Sequence, residues 1–243
     1  MKDPTTNHVG SLVFSRFSST VFVPLRTAIA EILTSEFSYS DESAADYSDQ
    51  KVGDIFGYIE NRMSDDRDNG VAAHLQLDGD SDDAFLKHIG SPAVSEYLKR
   101  LKLIHPTDFE VFCGKVLSAM GANRSEVTGR SNDQGIDFFA NELSICTPSS
   151  VGARIHIVGQ AKRYTDGLIS ETDIRKFVGG AIKRVSDPKD KVYRAERLAP
   201  VIYAYWTTSD FDAGGLKFAK AIGLWHLNGM GLTQLAMRHG VEI

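Results

Sequence analysis

Arg154-Ile155-His156-Ile157-Val158-Gly159-Gln160-Ala161-Lys162 is an apolar stretch that ends in two polar side chains one residue apart. Its β-branched content and lack of helical spacing predict a strand. Side chains alternate across a strand, so Gln160 and Lys162 share one face and Gly159 and Ala161 take the other. Gly135-Ile136-Asp137-Phe138-Phe139-Ala140 is a second short β-type run, with Asp137 inside it and 23 positions before Gln160. The segment between them, Glu142 to Gly152, carries Pro148, Ser149 and Ser150, which suit a surface excursion. If the two strands pair, Asp137, Gln160 and Lys162 converge.

Those residue types suit phosphodiester hydrolysis, which needs negative charge neutralised, a water deprotonated and both held in line. Mg²⁺ prefers a few oxygen ligands and keeps waters and substrate phosphate for its other positions. Asp137 offers a carboxylate, Gln160 its amide oxygen and Ala161 its carbonyl. Lys162 can orient the attacking water or stabilise the developing charge. The bland alternative is a turn aspartate and a solvated Gln-x-Lys at a strand end.

Ordered blocks extend from this pair. Thr107-Asp108-Phe109-Glu110-Val111-Phe112 opens an amphipathic helix that closes over Leu117–Gly121. Thr128 to Asp137 is a polar, glycine-containing approach to the acid, Gln160-Ala161-Lys162-Arg163-Tyr164 ends the strand, and Ile174–Gly180 lies in the next helix. Pro200–Ser209 and Leu224–Leu235 follow as late strands and a helix. Together, over residues 101–243, they resemble the Mrr-type restriction endonuclease family, the branch of the PD-(D/E)xK nuclease fold in which Gln replaces the second acid. Gln134 stands where that family usually has Gly, and Asn228-Gly229 where Asp-Gly is common. The resemblance implies an α/β catalytic domain with a restriction-endonuclease-like mixed central sheet flanked by helices. It also implies a Mg²⁺-dependent DNA endonuclease of restriction or anti-phage defence, with Mn²⁺ as a substitute metal. Catalysis falls to Asp137, Gln160, Lys162 and Glu110, the last at the family's helical acid, and metal ligation to Asp137, Gln160 and Ala161.

Charge is divided along the chain. Residues 1–100 hold 9 basic and 17 acidic side chains, and residues 101–243 hold 18 and 15. Between Lys162 and Arg197 there are 10 basic against 6 acidic residues, the footprint of a phosphate-contacting surface or of a solvated helix face. Arg163, Arg175, Lys176, Lys183 and Arg184 are the candidate DNA contacts. The acidic region 1–100 suits oligomerisation, regulation or target recognition better than phosphate binding. Expected partners are DNA and either further copies of the chain or a defence-system protein. Two rival readings stay open: an effector nuclease switched on by a sensor or signal, and a DNA-binding or assembly module on a nuclease fold.

Cys113 and Cys146 make neither a disulfide framework nor a zinc site, so a cytoplasmic setting is expected. The charge-free run Ala221–Met237 contains His226, Asn228, Gln234 and glycines, and reads as strand, turn and helix, not a membrane span. Residues 1–19 read as a polar arm, Val23–Phe37 and Lys51–Met63 as helices, Ser38–Asp49 as a loop and Ser64–Gly70 as a charged turn. Asp83–Ile89 and Ala93–Leu103 read as helices. Asp78-Gly79-Asp80-Ser81-Asp82-Asp83 resembles the start of an EF-hand loop, but it lacks the sixth-position glycine and the twelfth-position Glu, so a solvated loop is expected. In the second half, Thr107–Met120 reads as a helix, followed by strands near 124–128, 135–140 and 154–162. Ser170-x-x-Asp173 has the form of a capping box opening a helix to about Arg184. Val201–Thr207 reads as a strand, Phe211–Ile222 as a helix, Leu224–Leu227 as a strand and Leu232–Arg238 as a final helix.

Overall fold

Two runs of elements, each with its own apolar cluster, make up the chain, which divides between Ser95 and Glu96. The computed structural model describes residues 4–127, 135–145, 153–165, 167–190, 192–193 and 199–243.

The first run contains α1 (Thr6–Arg16), β1 (Val23–Pro24), α2 (Leu25–Phe37), α3 (Asp41–Asp68), β2 (Leu75–Asp78), β3 (Phe85–His88) and α4 (Pro92–Leu103), the last crossing the division. Three sequence expectations are corrected here. The N-terminal segment is not an arm: α1 is N-capped by Thr5 and buries Val9, Val13 and Phe14. Gly10 lets it close on α3, since a Cβ there would lie 2.7 Å from the Tyr58 ring. The acidic stretches flanking 51–63 are not loop and turn but parts of one 28-residue helix, α3. Ser40 caps it, Asp41 and Glu42 suit its positive end, and its inner stripe is Ala44, Ser48, Val52, Ile55, Ile59, Arg62 and Asp66. Small and polar residues at both ends of that stripe conceal its period in the sequence. Finally, Phe85–His88 is the middle strand of the antiparallel order β1-β3-β2. Leu86 points inward and Phe85 outward, a period of two that overrides helical spacing in so short a run. Its turn from β2 contains Gly79 at φ +87°, so the aspartate-rich segment serves as a hairpin connection.

The second run contains α5 (Pro106–Ala119), β4 (Ala122–Val127), β5 (Phe138–Ile145), β6 (Ala153–Lys162), β7 (Leu168–Ile169), α6 (Glu171–Ser186), β8 (Val201–Thr207), β9 (Asp210–Phe211), α7 (Ala213–Ala221), β10 (Trp225–Leu227) and α8 (Gly229–Arg238). The main sheet has the order β10-β8-β6-β5-β4. β4, β5 and β6 run antiparallel as a meander, while β6, β8 and β10 are parallel and require helical crossovers. The expected mixed sheet is therefore present.

Burial on both faces explains the apolar strands. On one face Phe138, Ile157, Ala161, Ala204 and Trp206 pack with Phe109, Phe112 and Val116 of α5 and Leu232 and Ala236 of α8. On the other, Phe139, Val158 and Tyr205 pack with Ile174 and Phe177 of α6 and Leu216 and Ala219 of α7. Ser170 and Asp173 form the expected reciprocal capping box at α6. α7 and α8 start at Ala213 and Gly229 because Asp212 and Asn228 cap them, the second start three residues earlier than the apolar run suggests.

Candidate active site

The candidate residues Gln160, Ala161 and Lys162 lie at the end of β6, the central strand, which is paired on both sides. Gln160 lies opposite Tyr205 and Lys162 opposite Thr207 in the parallel ladder with β8. Gly159 and Ala161 face α5, as alternation requires. Phe138 packs over Gly159 so closely that a Cβ there would fall 2.1 Å from its ring. Gln160 is buried on the α6 side, and a Cβ on Gly135 would approach its amide to 3.0 Å. Gly135 has φ +85°, a conformation that favours glycine.

Asp137 lies just before β5, not inside a strand. Its amide N–H donates to the Gly159 carbonyl at 2.9 Å, and its carboxylate Oδ2 accepts from the Ala161 N–H at 2.9 Å. The side chain thus takes the place of the next carbonyl in the ladder. This position follows from the chain leaving β5 at Asp137: with no further backbone partner for the Ala161 N–H, a side-chain acceptor must satisfy it.

The direction of the peptide groups brings a further oxygen to the same place. Along β6, Gly159 C=O and Ala161 N–H point toward Asp137, while Lys162 C=O accepts from Thr208 on the β8 side. A residue's N–H and C=O leave a strand on the same side, so the Ala161 carbonyl points toward the Asp137 edge. The Asp137 carboxylate, the Ala161 carbonyl and the Gln160 amide oxygen are hard oxygen donors of the kind that suits Mg²⁺. Among the described residues there is no cluster of three or more His, Cys, Asp or Glu side chains that could hold a metal.

Glu110 is half-buried on the first turns of α5, whose start is marked by Pro106 and the His105 cap. Burial pushes the Cys113 thiol well above its ordinary pKa, and the charges of Asp137 and Glu110 add to that rise. Both carboxylates therefore act on one thiol, which stays neutral within the core. Burial likewise raises the Tyr205 phenol, with Asp173, Tyr164 and Asp137 contributing. Tyr205 is fully buried beside Gln160, and its hydroxyl has no hydrogen-bond partner among the described residues. The sequence reading assigned it no role, and its apolar surroundings give no signal of one.

The candidate DNA contacts separate into two groups. Arg175 is bound to Glu171 at 2.6 Å and stacks 4.0 Å from the Phe218 ring centre. Arg184 is bound to Asp190 at 2.5 Å and lies over Tyr193. Arg163 reaches back to the Lys102 carbonyl through a long 3.5 Å contact. Lys176 and Lys183 are exposed on α6. His156 is half-buried on the Gln160 face. Asp133, Gln134, the remainder of the approach from Thr128, Pro148 to Ser150, Lys191, Arg194 and Arg197 lie outside the described residues.

Thr207, Thr208 and Ser209 were not singled out by the sequence. Thr207 Oγ1 donates to the Lys162 carbonyl at 2.8 Å, and Thr208 Oγ1 donates to the Tyr164 carbonyl at 2.7 Å. The run of three hydroxyl residues that begins on the last residue of apolar β8 is their sequence signal.

No helix among the described residues is long and apolar enough to cross a membrane. A family model described as a restriction endonuclease, Mrr_cat, matches residues 101–235. Among solved structures, the MspJI restriction endonuclease in complex with a 27-mer oligonucleotide is similar at 17% identity and a TM-score of 0.42, with 63% of this chain and 36% of that chain covered. The DNA modification-dependent restriction endonuclease AspBHI is similar at 14% identity and a TM-score of 0.44, with 63% and 37% covered. Protein VC1899 from Vibrio cholerae is similar at 10% identity and a TM-score of 0.32, with 98% and 56% covered. The chain thus spans little more than a third of the length of MspJI and AspBHI. No curated protein matches. With more than half of its residues within the family model, the chain belongs to the Mrr_cat family of restriction endonucleases.

Proposed function

We propose that the protein is a Mg²⁺-dependent DNA endonuclease that hydrolyses phosphodiester bonds in restriction or anti-phage defence, with Mn²⁺ able to substitute. The observation that carries this reading is the Asp137 carboxylate bonded to the Ala161 N–H at 2.9 Å, at the edge toward which the Ala161 carbonyl points. Asp137, Gln160 and Ala161 would hold the ion. Bound there, Mg²⁺ would supply charge neutralisation at the phosphate and a water of lowered pKa. Asp137 keeps its orientation through its bond to β6. Gln160 adds an oxygen without a second negative charge. Lys162, on the Gln160 face, orients the attacking water or meets the charge developing on phosphate. Glu110 supports from α5 by accepting a proton from water or completing the oxygen shell. Lys176 and Lys183 contact phosphates, with Arg163, Arg175 and Arg184 contributing where DNA draws them from their protein partners.

The test is plasmid cleavage with Mg²⁺ and with chelator, using modified and unmodified DNA. Asp137→Asn keeps an acceptor for the Ala161 N–H and removes the charge, and Lys162→Ala removes the ammonium. Each should lower cleavage by about 100-fold or more while leaving the melting curve in place. Wild-type rates in both variants would refute the assignment.

A further inference from the structure

Lys162 is the last residue of β6, and a strand end is where pairing normally frays. Here the pairing continues through side chains. The Lys162 carbonyl accepts twice, from the Thr208 N–H at 3.2 Å and from Thr207 Oγ1 at 2.8 Å. Two residues on, the Thr208 hydroxyl accepts from the Tyr164 N–H at 3.0 Å and donates to the Tyr164 carbonyl at 2.7 Å. One hydroxyl thereby satisfies both backbone groups of a residue beyond the sheet. Thr207 and Thr208 are buried and Lys162 and Tyr164 half-buried, which limits the competition of water for these bonds.

The next residue extends the network. The Ser209 N–H donates to Thr207 Oγ1 at 3.1 Å, and Ser209 Oγ donates to the Gly167 carbonyl at 2.5 Å. α8 supports this from behind. The Gly229 N–H donates to the Ser209 carbonyl at 2.8 Å, and a Cβ on Gly229 would fall 2.3 Å from the Thr208 carbonyl oxygen. The hydroxyl residues are thus held against a helix start that only glycine can occupy at this separation.

We propose that Thr207, Thr208 and Ser209 form a hydroxyl brace that fixes the backbone leaving β6, making Thr207 and Thr208 positioning residues for Lys162. The inference rests on the nuclease reading of Lys162. The lysine has a long flexible side chain, so the precision with which its ammonium meets a phosphate or water depends on how firmly its backbone is held. Misplacement of a reacting group by about 1 Å can cost about 100-fold in rate. A brace that acts through Lys162 affects turnover and leaves DNA affinity, which is spread over other cations, largely unchanged.

The experiment uses the full chain with Thr207→Val, Thr208→Val and Thr208→Ser. Valine keeps the shape and removes the hydroxyl, whereas serine restores it. Two quantities are read: amide hydrogen exchange at Tyr164, and kcat and KM for duplex cleavage with Mg²⁺. Thr208→Val should speed Tyr164 exchange at least tenfold, and each valine variant should lower kcat by about tenfold with KM within about twofold. Thr208→Ser should recover both readings. Unchanged Tyr164 exchange in Thr208→Val overturns the brace, whatever the cleavage result. Faster exchange with wild-type kcat overturns its role in positioning Lys162. Wild-type protein that does not cut DNA at all overturns the nuclease reading and with it the catalytic half of this inference, while the exchange result still decides the brace.

Discussion

Gly135 holds φ +85°, and its missing Cβ leaves the Gln160 amide its place. Two costs therefore combine in Gly135→Ala: a side chain in the left-handed region and a 3.0 Å contact against a proposed metal ligand. The backbone term alone is about 1 kcal/mol, which lowers the melting temperature by about 2–4 °C in a domain of this size. Cleavage should fall by about tenfold or more, because Gln160 must move aside. Calorimetry and a cleavage assay on one preparation check both, and a variant with the wild-type melt and rate would show that the Gln160 position is not constrained. Asp137 illustrates what residue identity could and could not reveal. Gly-Ile-Asp followed by Gln-x-Lys marks the proposed reacting groups in the sequence, but the bond from Ala161 to the carboxylate depends on β5 beginning one residue after Asp137.

Along α6, charge and availability differ. The helix carries Arg175, Lys176, Lys183 and Arg184, but both arginines are committed to carboxylates and aromatic rings of the same unit. Lys176 and Lys183 are seven positions apart, two turns along one exposed face. If they neutralise two phosphates, Lys176→Gln with Lys183→Gln should flatten the plot of log affinity against log salt by about 2. Fluorescence anisotropy with labelled duplex measures this, and an unaltered slope would place the DNA contacts elsewhere. The basic excess is visible in the sequence and the ion pairs of Arg175 and Arg184 are local, with Glu171 and Asp190 four and six residues away, whereas Phe218 meets Arg175 only when α7 folds against α6. The N-terminal elements teach the same lesson. α3 was hidden by Ala44, Ser48, Arg62 and Asp66 on its inner stripe, and β3 by a run too short for its period to be distinct.

At the scale of the whole molecule, an acidic unit with its own core precedes the family domain. We propose that it governs oligomerisation, regulation or target choice. Removal of residues 1–95 should leave a fragment that melts cooperatively, because residues 96–243 contain two apolar clusters of their own. The fragment should differ from the full chain in oligomeric state or cleavage, measured by light scattering and plasmid assay. No difference in either would remove the proposed role. The sequence by itself determined the family resemblance over residues 101–243, through its ordered motifs, and most of the helices and strands of that half, because these depend on local period, capping and residue type. Only the tertiary structure decided that the Ala161 carbonyl points to the Asp137 edge, that Tyr205 lies beside Gln160, and that the hydroxyls of Thr207 and Thr208 bond the backbone at the end of β6. Those arrangements depend on strand register and on which peptide groups remain unsatisfied at a sheet edge, and both are settled when distant segments pair.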